Sequence, residues 1–273
     1  MSRSSSLPPA LAGALGLAAL LSSLGLGPAS GSAQVAQDLR GIHERAAFST
    51  VRIETRAGAL GTGWLLAQNV PRPVVITNQH VVERAGAPIT VMHYVGSSGG
   101  TVETAATVQW VSRSIDLAII RLDADPPASA RALTLESGDL VRGERVVLGG
   151  NPGGLLFQTT EGVITGHFPA GVHAASRCGA GRNCVVVDAA SFGGSSGGPA
   201  INARGNVVGM LWGGPRIDVQ SRVGRLPAWM ENPAFAFLIH VRTIEQELRA
   251  YGESRRVRDA GPRDEGEPVA QAE

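Results

Sequence analysis

The sequence predicts an all-β fold, a sandwich or a barrel, followed by a single C-terminal helix. Three observations carry that expectation. Short apolar stretches recur at strand length between Gly, Pro and Asn; helical periodicity is confined to one late segment; and 36 Gly with 16 Pro among 273 residues give a loop-rich, globular composition.

Taken in order, the chain opens with Arg3 as its only early charge, an apolar run from Ala10 to Leu21 and small residues at Gly31-Ser32-Ala33. That layout predicts a secretory signal peptide over 1–33, hence export to a periplasmic or secreted location. Residues 34–45 form a short N-terminal segment before the β body. Val51-Arg52-Ile53, Gly63-Trp64-Leu65-Leu66, Val74-Val75-Ile76-Thr77 and Leu117-Ala118-Ile119-Ile120 are the strand candidates of a first half, 46–125. Pro126-Pro127-Ala128-Ser129-Ala130-Arg131 opens a linker over 126–139. Arg145-Val146-Val147-Leu148, Val185-Val186-Val187 and Asn206 to Met210 are strand candidates of a second half, 140–251. Val241, Ile244, Leu248 and Tyr251 keep an i, i+3, i+4 register, which predicts an amphipathic helix packed on the β body. Beyond Gly252 the residues are charged or turn-forming with little to bury, so 252–273 reads as a disordered tail.

The charge balance excludes one class of partner. Formal net charge is +1 and every one of the 24 basic residues is Arg, a composition bias that provides no net field for nucleic acid. No second span follows the leader, so no membrane attachment is expected once it is removed. Cys178 and Cys184 are the two cysteines. In an exported chain they can close a small loop worth about 2 kcal/mol, or remain free thiols. Neither lies near further Cys or His at ligand spacing, and no motif for a metal, nucleotide or flavin is present, so no cofactor is expected.

The chemistry concentrates in Asp188 through Pro199, which ends in Gly194-Ser195-Ser196-Gly197-Gly198-Pro199. A hydroxyl nucleophile needs exposure and converging backbone N–H groups for the oxyanion it creates, and small neighbours permit both. A phosphate-binding loop is excluded, because no Lys follows the glycines and no helix continues from them. Standing alone, the stretch would also suit an ordinary Gly-rich hairpin. It is accompanied by a histidine in Thr77-Asn78-Gln79-His80-Val81-Val82, just after an apolar strand, and by a carboxylate in Ser114-Ile115-Asp116-Leu117-Ala118, just before another. Base, orienting acid and nucleophile thus arrive in the order His80, Asp116, Ser196. His43, His93, His167, His173 and His240 lack such contexts and read as structural or surface residues.

These contexts, with Gly61-Thr62-Gly63-Trp64, Gly150-Asn151-Pro152, Glu161 to Gly166 and Gly205 to Gly209, resemble the trypsin-like serine peptidases of the chymotrypsin fold, in particular the bacterial HtrA/Deg-like branch. The likeness covers about 46 to 251. It implies two six-stranded antiparallel barrels, the first carrying His80 and Asp116 and the second Ser196. It also implies peptide-bond hydrolysis, with His80 as base, Asp116 orienting it, and the N–H groups of Gly194 and Ser196 as oxyanion hole. Ser195 occupies the variable position before the nucleophile, so its side chain is expected to point away from His80. Because Ser195 is uncharged, the resemblance implies activity without cleavage beyond leader removal.

The few residues after Tyr251 leave no room for a PDZ domain, and none is expected. The residue six before the nucleophile, Ala190, would floor the specificity pocket, with Phe192, Leu211, Trp212 and Gly213 as walls and substrate-pairing edge. An uncharged floor favours small or medium apolar side chains in extended polypeptides. The resemblance also allows a resting form whose oxyanion hole is misformed, and the same barrels without hydrolysis would make a peptide-binding module. Nothing in the residues sets an oligomeric state.

Overall fold

A computed structural model describes residues 30–259 except 69, 71, 83, 97–98, 169–183, 215–219, 222–223 and 226–234. Most of the expected leader, His173, Cys178 and the end of the charged tail lie outside the described residues. Met1–Arg40 and Gly41–Glu273 are separate compact units.

Twelve strands make two closed antiparallel barrels. The first is built from β1 (Thr50–Thr55), β2 (Leu60–Leu66), β3 (Val74–Thr77), β4 (Pro88–Tyr94), β5 (Thr101–Val111) and β6 (Ala118–Leu122). The second is built from β7 (Arg145–Gly150), β8 (Gln158–Phe168), β9 (Cys184–Val187), β10 (Pro199–Asn202), β11 (Val207–Gly213) and β12 (Ala236–His240). Neighbours run β1-β2-β3-β6-β5-β4 in the first and β7-β8-β9-β12-β11-β10 in the second, so one topology occurs twice. Closure comes from β1 pairing with β4, Val51 opposite His93, and from β7 pairing with β10, Leu148 opposite Ala200. Closing a sheet leaves no unpaired edge.

The alternation of side chains explains why some strands are conspicuous in the sequence. In β2, β3 and β6, Leu65, Val75 and Ile120 point into the first barrel. Their neighbours Trp64, Leu66, Val74, Ile76 and Ile119 point outward into a larger cluster shared with Ile201, Val207, Met210 and Ile239 of the second barrel. Strands buried on both faces read as continuous apolar runs. By contrast, β4 and β5 bury one face only, and Glu103, Thr104 and Gln109 interrupt their apolar positions.

Three further elements join the halves. The segment expected as a linker runs between them as a bridge: Leu133 N–H donates to Leu65 O at 2.8 Å, and Glu136 N–H donates to Val207 O at 2.9 Å. Leu133 is wholly buried there. Helix α1 (Ser30–Ser49) runs through the expected N-terminal segment up to β1, with Ile42 and Ala46 packed on the shared cluster. Helix α2 (Val241–Asp259) begins where expected and buries Val241, Ile244 and Tyr251; it continues past Gly252 into the segment expected to be a tail. Its Arg249 pairs with Glu245 one turn earlier, a contact that supports helix without any burial.

Candidate active site

His80 sits in a single 3₁₀ turn, Gln79–Val81, immediately after β3. The turn is fixed from below by Asn78, a fully buried residue whose side-chain amide donates to the Asp116 carbonyl at 2.8 Å. Asp116, itself buried, grips the histidine twice. Its Oδ1 accepts the His80 backbone N–H at 3.0 Å, and its Oδ2 lies 2.6 Å from His80 Nδ1. A carboxylate held on Nδ1 orients the ring and favours the tautomer with its proton on that nitrogen.

The loop bearing Asp116 is organised by one hydroxyl. Ser112 Oγ accepts the N–H groups of Ser114 at 3.0 Å and Ile115 at 3.1 Å, and donates to Glu247 Oε2 of α2 at 2.7 Å. Ser112 N–H also bonds Leu117 O, closing the loop across Asp116.

The expected nucleophile loop lies between β9 and β10, and its peptide planes can be followed one by one. Gly193 O accepts from Gly153 N–H at 2.7 Å, Gly194 O from Thr62 Oγ1 at 2.6 Å, Ser195 O from Gly198 N–H at 3.0 Å, and Ser196 O from Thr62 N–H at 2.9 Å. In a trans peptide the N–H points opposite its carbonyl. Anchoring Gly193 O and Ser195 O therefore turns the N–H groups of Gly194 and Ser196 away from those anchors. Among the described residues these two N–H groups have no acceptor, whereas those of Ser195, Gly197 and Gly198 are bonded to Phe192, Leu211 and Ser195 carbonyls.

Glycine is required at two of these positions. Gly194 has φ +95°, and a Cβ there would lie 2.5 Å from Asn151 O. Gly197 has φ +88°, and a Cβ would strike both the Thr62 carbonyl and Thr77 Oγ1. The Ser196-Gly197 backbone is thus seated against Thr62 and Thr77, the residue that ends the strand leading to His80. Ser196 itself is partly exposed. Ser195 is turned the other way: it is buried, and a Cβ on Gly150 would meet its Oγ at 3.1 Å.

Beside the loop opens a cleft of about 430 Å³ lined by Ala190, Phe192, Ser195 and Leu211 together with Leu148 and Leu155. Phe192 is 53% exposed at its rim. Trp212 and Gly213 stand outside this lining. The β11–β12 register shifts between Leu211 and Gly213, and the Trp212 ring packs 5.6 Å from that of Phe237. Cys184 is fully buried at the start of β9 and is not a free thiol.

Asn78, Ser112, Thr62 and Asn151 were not singled out for roles from the sequence. Each is a polar residue set beside apolar strand positions, and that mismatch is the signal that could have marked them.

Against known proteins, residues 61–210 match the trypsin-like peptidase domain family. The chain is 31% identical over 160 residues to a probable periplasmic serine endoprotease, DegP-like, of Chlamydia trachomatis, covering 58% of this chain and 29% of that protein. It is likewise 31% identical to the serine protease Do-like HtrA of Bacillus subtilis over 58% of this chain and 34% of that one. It therefore spans about a third of the length of these relatives. Among solved structures, an inactive form of Rv3671c from M. tuberculosis carrying a serine-to-alanine mutation superposes with TM-score 0.59 at 23% identity, covering 78% of this chain and 90% of that one. An HtrA-type protease, AlgW with tripeptide, superposes with TM-score 0.57 at 23% identity over 77% of this chain and 62% of that one. At those identities the likeness is one of fold, and it agrees with the paired barrels. A match over more than half of its residues establishes that this chain belongs to the trypsin-like peptidase domain family.

Proposed function

We propose that the protein is an exported serine endopeptidase that hydrolyses peptide bonds through Ser196, His80 and Asp116 by way of an acyl-enzyme. The observation that carries this reading is the double grip of Asp116 on His80, 2.6 Å to Nδ1 and 3.0 Å to the backbone N–H. It leaves His80 Nε2 to take the Ser196 hydroxyl proton as Oγ bonds to the scissile carbonyl carbon, and the oxygen takes on negative charge. The unengaged N–H groups of Gly194 and Ser196 suit that oxyanion, a contribution typically worth ~10²–10³ in rate for one donor. Collapse of the intermediate breaks the C–N bond while His80 gives its proton to the leaving amine. A water, deprotonated by His80, then hydrolyses the ester and returns Ser196 to its free hydroxyl. Because the carbonyls of Gly193 and Ser195 are both anchored, the oxyanion loop is read as standing in its working arrangement.

The cleft over Ala190 offers no charge to Lys or Arg, which supports small or medium apolar side chains before the scissile bond. Trp212 and Gly213 belong, on this reading, to the edge that pairs with extended substrate backbone. Relatives named periplasmic endoproteases support export and a place in envelope protein quality control or processing. Among the described residues no helix is long and apolar enough to cross a membrane. A Cys178–Cys184 bridge would tie the loop before β9. The alternative is a silent peptide-binding module, in which the same barrels and groove hold extended peptides without hydrolysis.

Mature protein, residues 34–273, incubated with a fluorophosphonate probe tests the reading. One adduct by intact mass, mapped to Ser196 and abolished in Ser196→Ala and His80→Ala, is the expected result. Folded protein that takes up no probe, while still binding peptides, would establish the binding module instead.

A further inference from the structure

We infer that the Thr62 hydroxyl, backed by Asn151, is the positioning group that holds the oxyanion loop in its working arrangement; this rests on the peptidase reading above. Thr62 is fully buried in β2, in the first barrel, yet its polar atoms serve the second. Its Oγ1 donates to Gly194 O at 2.6 Å and its N–H donates to Ser196 O at 2.9 Å, one on each side of Ser195. With its only proton given to Gly194, the hydroxyl accepts twice from Asn151, from N–H at 3.0 Å and from Nδ2 at 3.1 Å. Both lone pairs and the proton are then used, so this hydroxyl has one orientation only.

Asn151 extends the same hold. Its Nδ2 also donates to Val51 O at 3.2 Å, and its Oδ1 accepts Phe157 N–H at 2.9 Å. Phe157 has φ 52°, a left-handed backbone that a bulky residue adopts only under constraint. Asn151 therefore fixes both ends of the turn 151–157, and within that turn lies Gly153, whose N–H anchors Gly193 O. The direction of the Gly194 N–H thus depends on the Thr62–Asn151 node from both sides of that residue: through the Gly153 turn, which anchors the carbonyl of its own peptide plane, and through the Gly194 carbonyl, which fixes the next plane across the Gly194 Cα. Removing the hydroxyl would leave Gly194 O without its donor and the Asn151 backbone N–H without its acceptor, and a peptide free to rotate at a glycine can turn its N–H out of the site.

The test compares Thr62→Val, which keeps shape and deletes the hydroxyl, with Thr62→Ser, which keeps the hydroxyl, and with Asn151→Ala. On a peptide substrate Thr62→Val should lose about 10- to 100-fold in kcat, below the loss from deleting an oxyanion donor outright, with KM within about twofold of wild type. Affinity for a peptide aldehyde, which forms the oxyanion, should fall by the same factor as kcat. Affinity for the same peptide ending in an unreactive amide should not change. Thr62→Ser should restore most of kcat, and Asn151→Ala should show the same split between aldehyde and amide, which covers the case that Thr62→Val does not fold. Wild-type kcat in folded Thr62→Val, or equal losses for aldehyde and amide ligands, overturns the inference. If the wild type itself neither turns over substrate nor takes the fluorophosphonate, the peptidase reading is what has failed.

Discussion

At the scale of single residues, the site is a matter of directions more than of identities. Ser196 has ordinary chemistry; what surrounds it decides where neighbouring N–H groups point, and four carbonyl anchors from Gly193 to Ser196 do so. Gly197 is the least replaceable of the loop residues, because its φ of +88° and its approach to the Thr62 carbonyl both exclude a Cβ. Gly197→Ala is expected to cost about 1–3 kcal/mol from backbone conformation alone, with a further cost from the collision. Urea denaturation should show the loss, and fluorophosphonate uptake should fall even in conditions where the variant remains folded. Ser195→Ala, by contrast, removes a hydroxyl facing Gly150 and the cleft, and nothing in the site's hydrogen bonds depends on it.

At the scale of elements, α2 takes part in the first barrel's Asp116 loop although it follows the second barrel in sequence. Glu247 is buried and receives the Ser112 hydroxyl at 2.7 Å, and that hydroxyl in turn holds the loop of Asp116. Glu247→Ala is expected to destabilise the protein by about 1–3 kcal/mol, the cost of leaving a buried hydroxyl without its acceptor. Glu247→Gln, which still accepts, should recover most of the loss in thermal melts, and kcat should follow the same order. None of this was legible in the sequence, where the helix was visible only through its apolar stripe. What could be read were strands buried on both faces, β2, β3 and β6, since their runs are uninterrupted. Strands β4, β5, β8, β10 and β12 were not picked out: β4, β5 and β8 are half-buried strands bearing Thr, Glu and Gln that look like loops until their partners are known, and β10 and β12 are short runs beside Gly, Pro or Phe that show no alternation. His80, Asp116 and Ser196 were legible through their surroundings; Thr62 and Asn151 acquire meaning only when β2 and the turn after β7 are brought together.

At the scale of the whole molecule, buried ionisable groups set the response to acid. Burial pushes the His93 imidazole down to about 4; it lies inside the first barrel, and among the described residues neither ring nitrogen has a partner. His240 is likewise lowered to about 4 by burial, then by His167 and Arg242. A histidine takes up its proton more readily in the unfolded chain, near pH 6.5, so its contribution is complete above that pH and is lost as pH falls from about 6.5 through 4. Glu136 acts lower. The Gly138 N–H, Arg204 and Asn202 hold its carboxyl down to about 2 from 4.5, so its contribution is present above about 4.5 and is lost as pH falls toward 2. Urea midpoints should therefore decline between pH 6.5 and 4, and His93→Leu should flatten that decline while leaving the steeper fall below pH 4 in place. An unchanged slope in His93→Leu would assign the acid sensitivity elsewhere.

The carbonyl anchors of the nucleophile loop carry a last consequence for how such a chain could be made safely. Two of the four come from the first barrel and two from the second, so neither half can fix the Gly193–Ser196 loop by itself. A chain in transit, with one half folded and the other still extended, would present its serine without the surroundings that make it reactive. On the proposed reading, the ability to cut other proteins is switched on by completion of folding itself, with no separate prosegment needed to keep the unfinished molecule harmless.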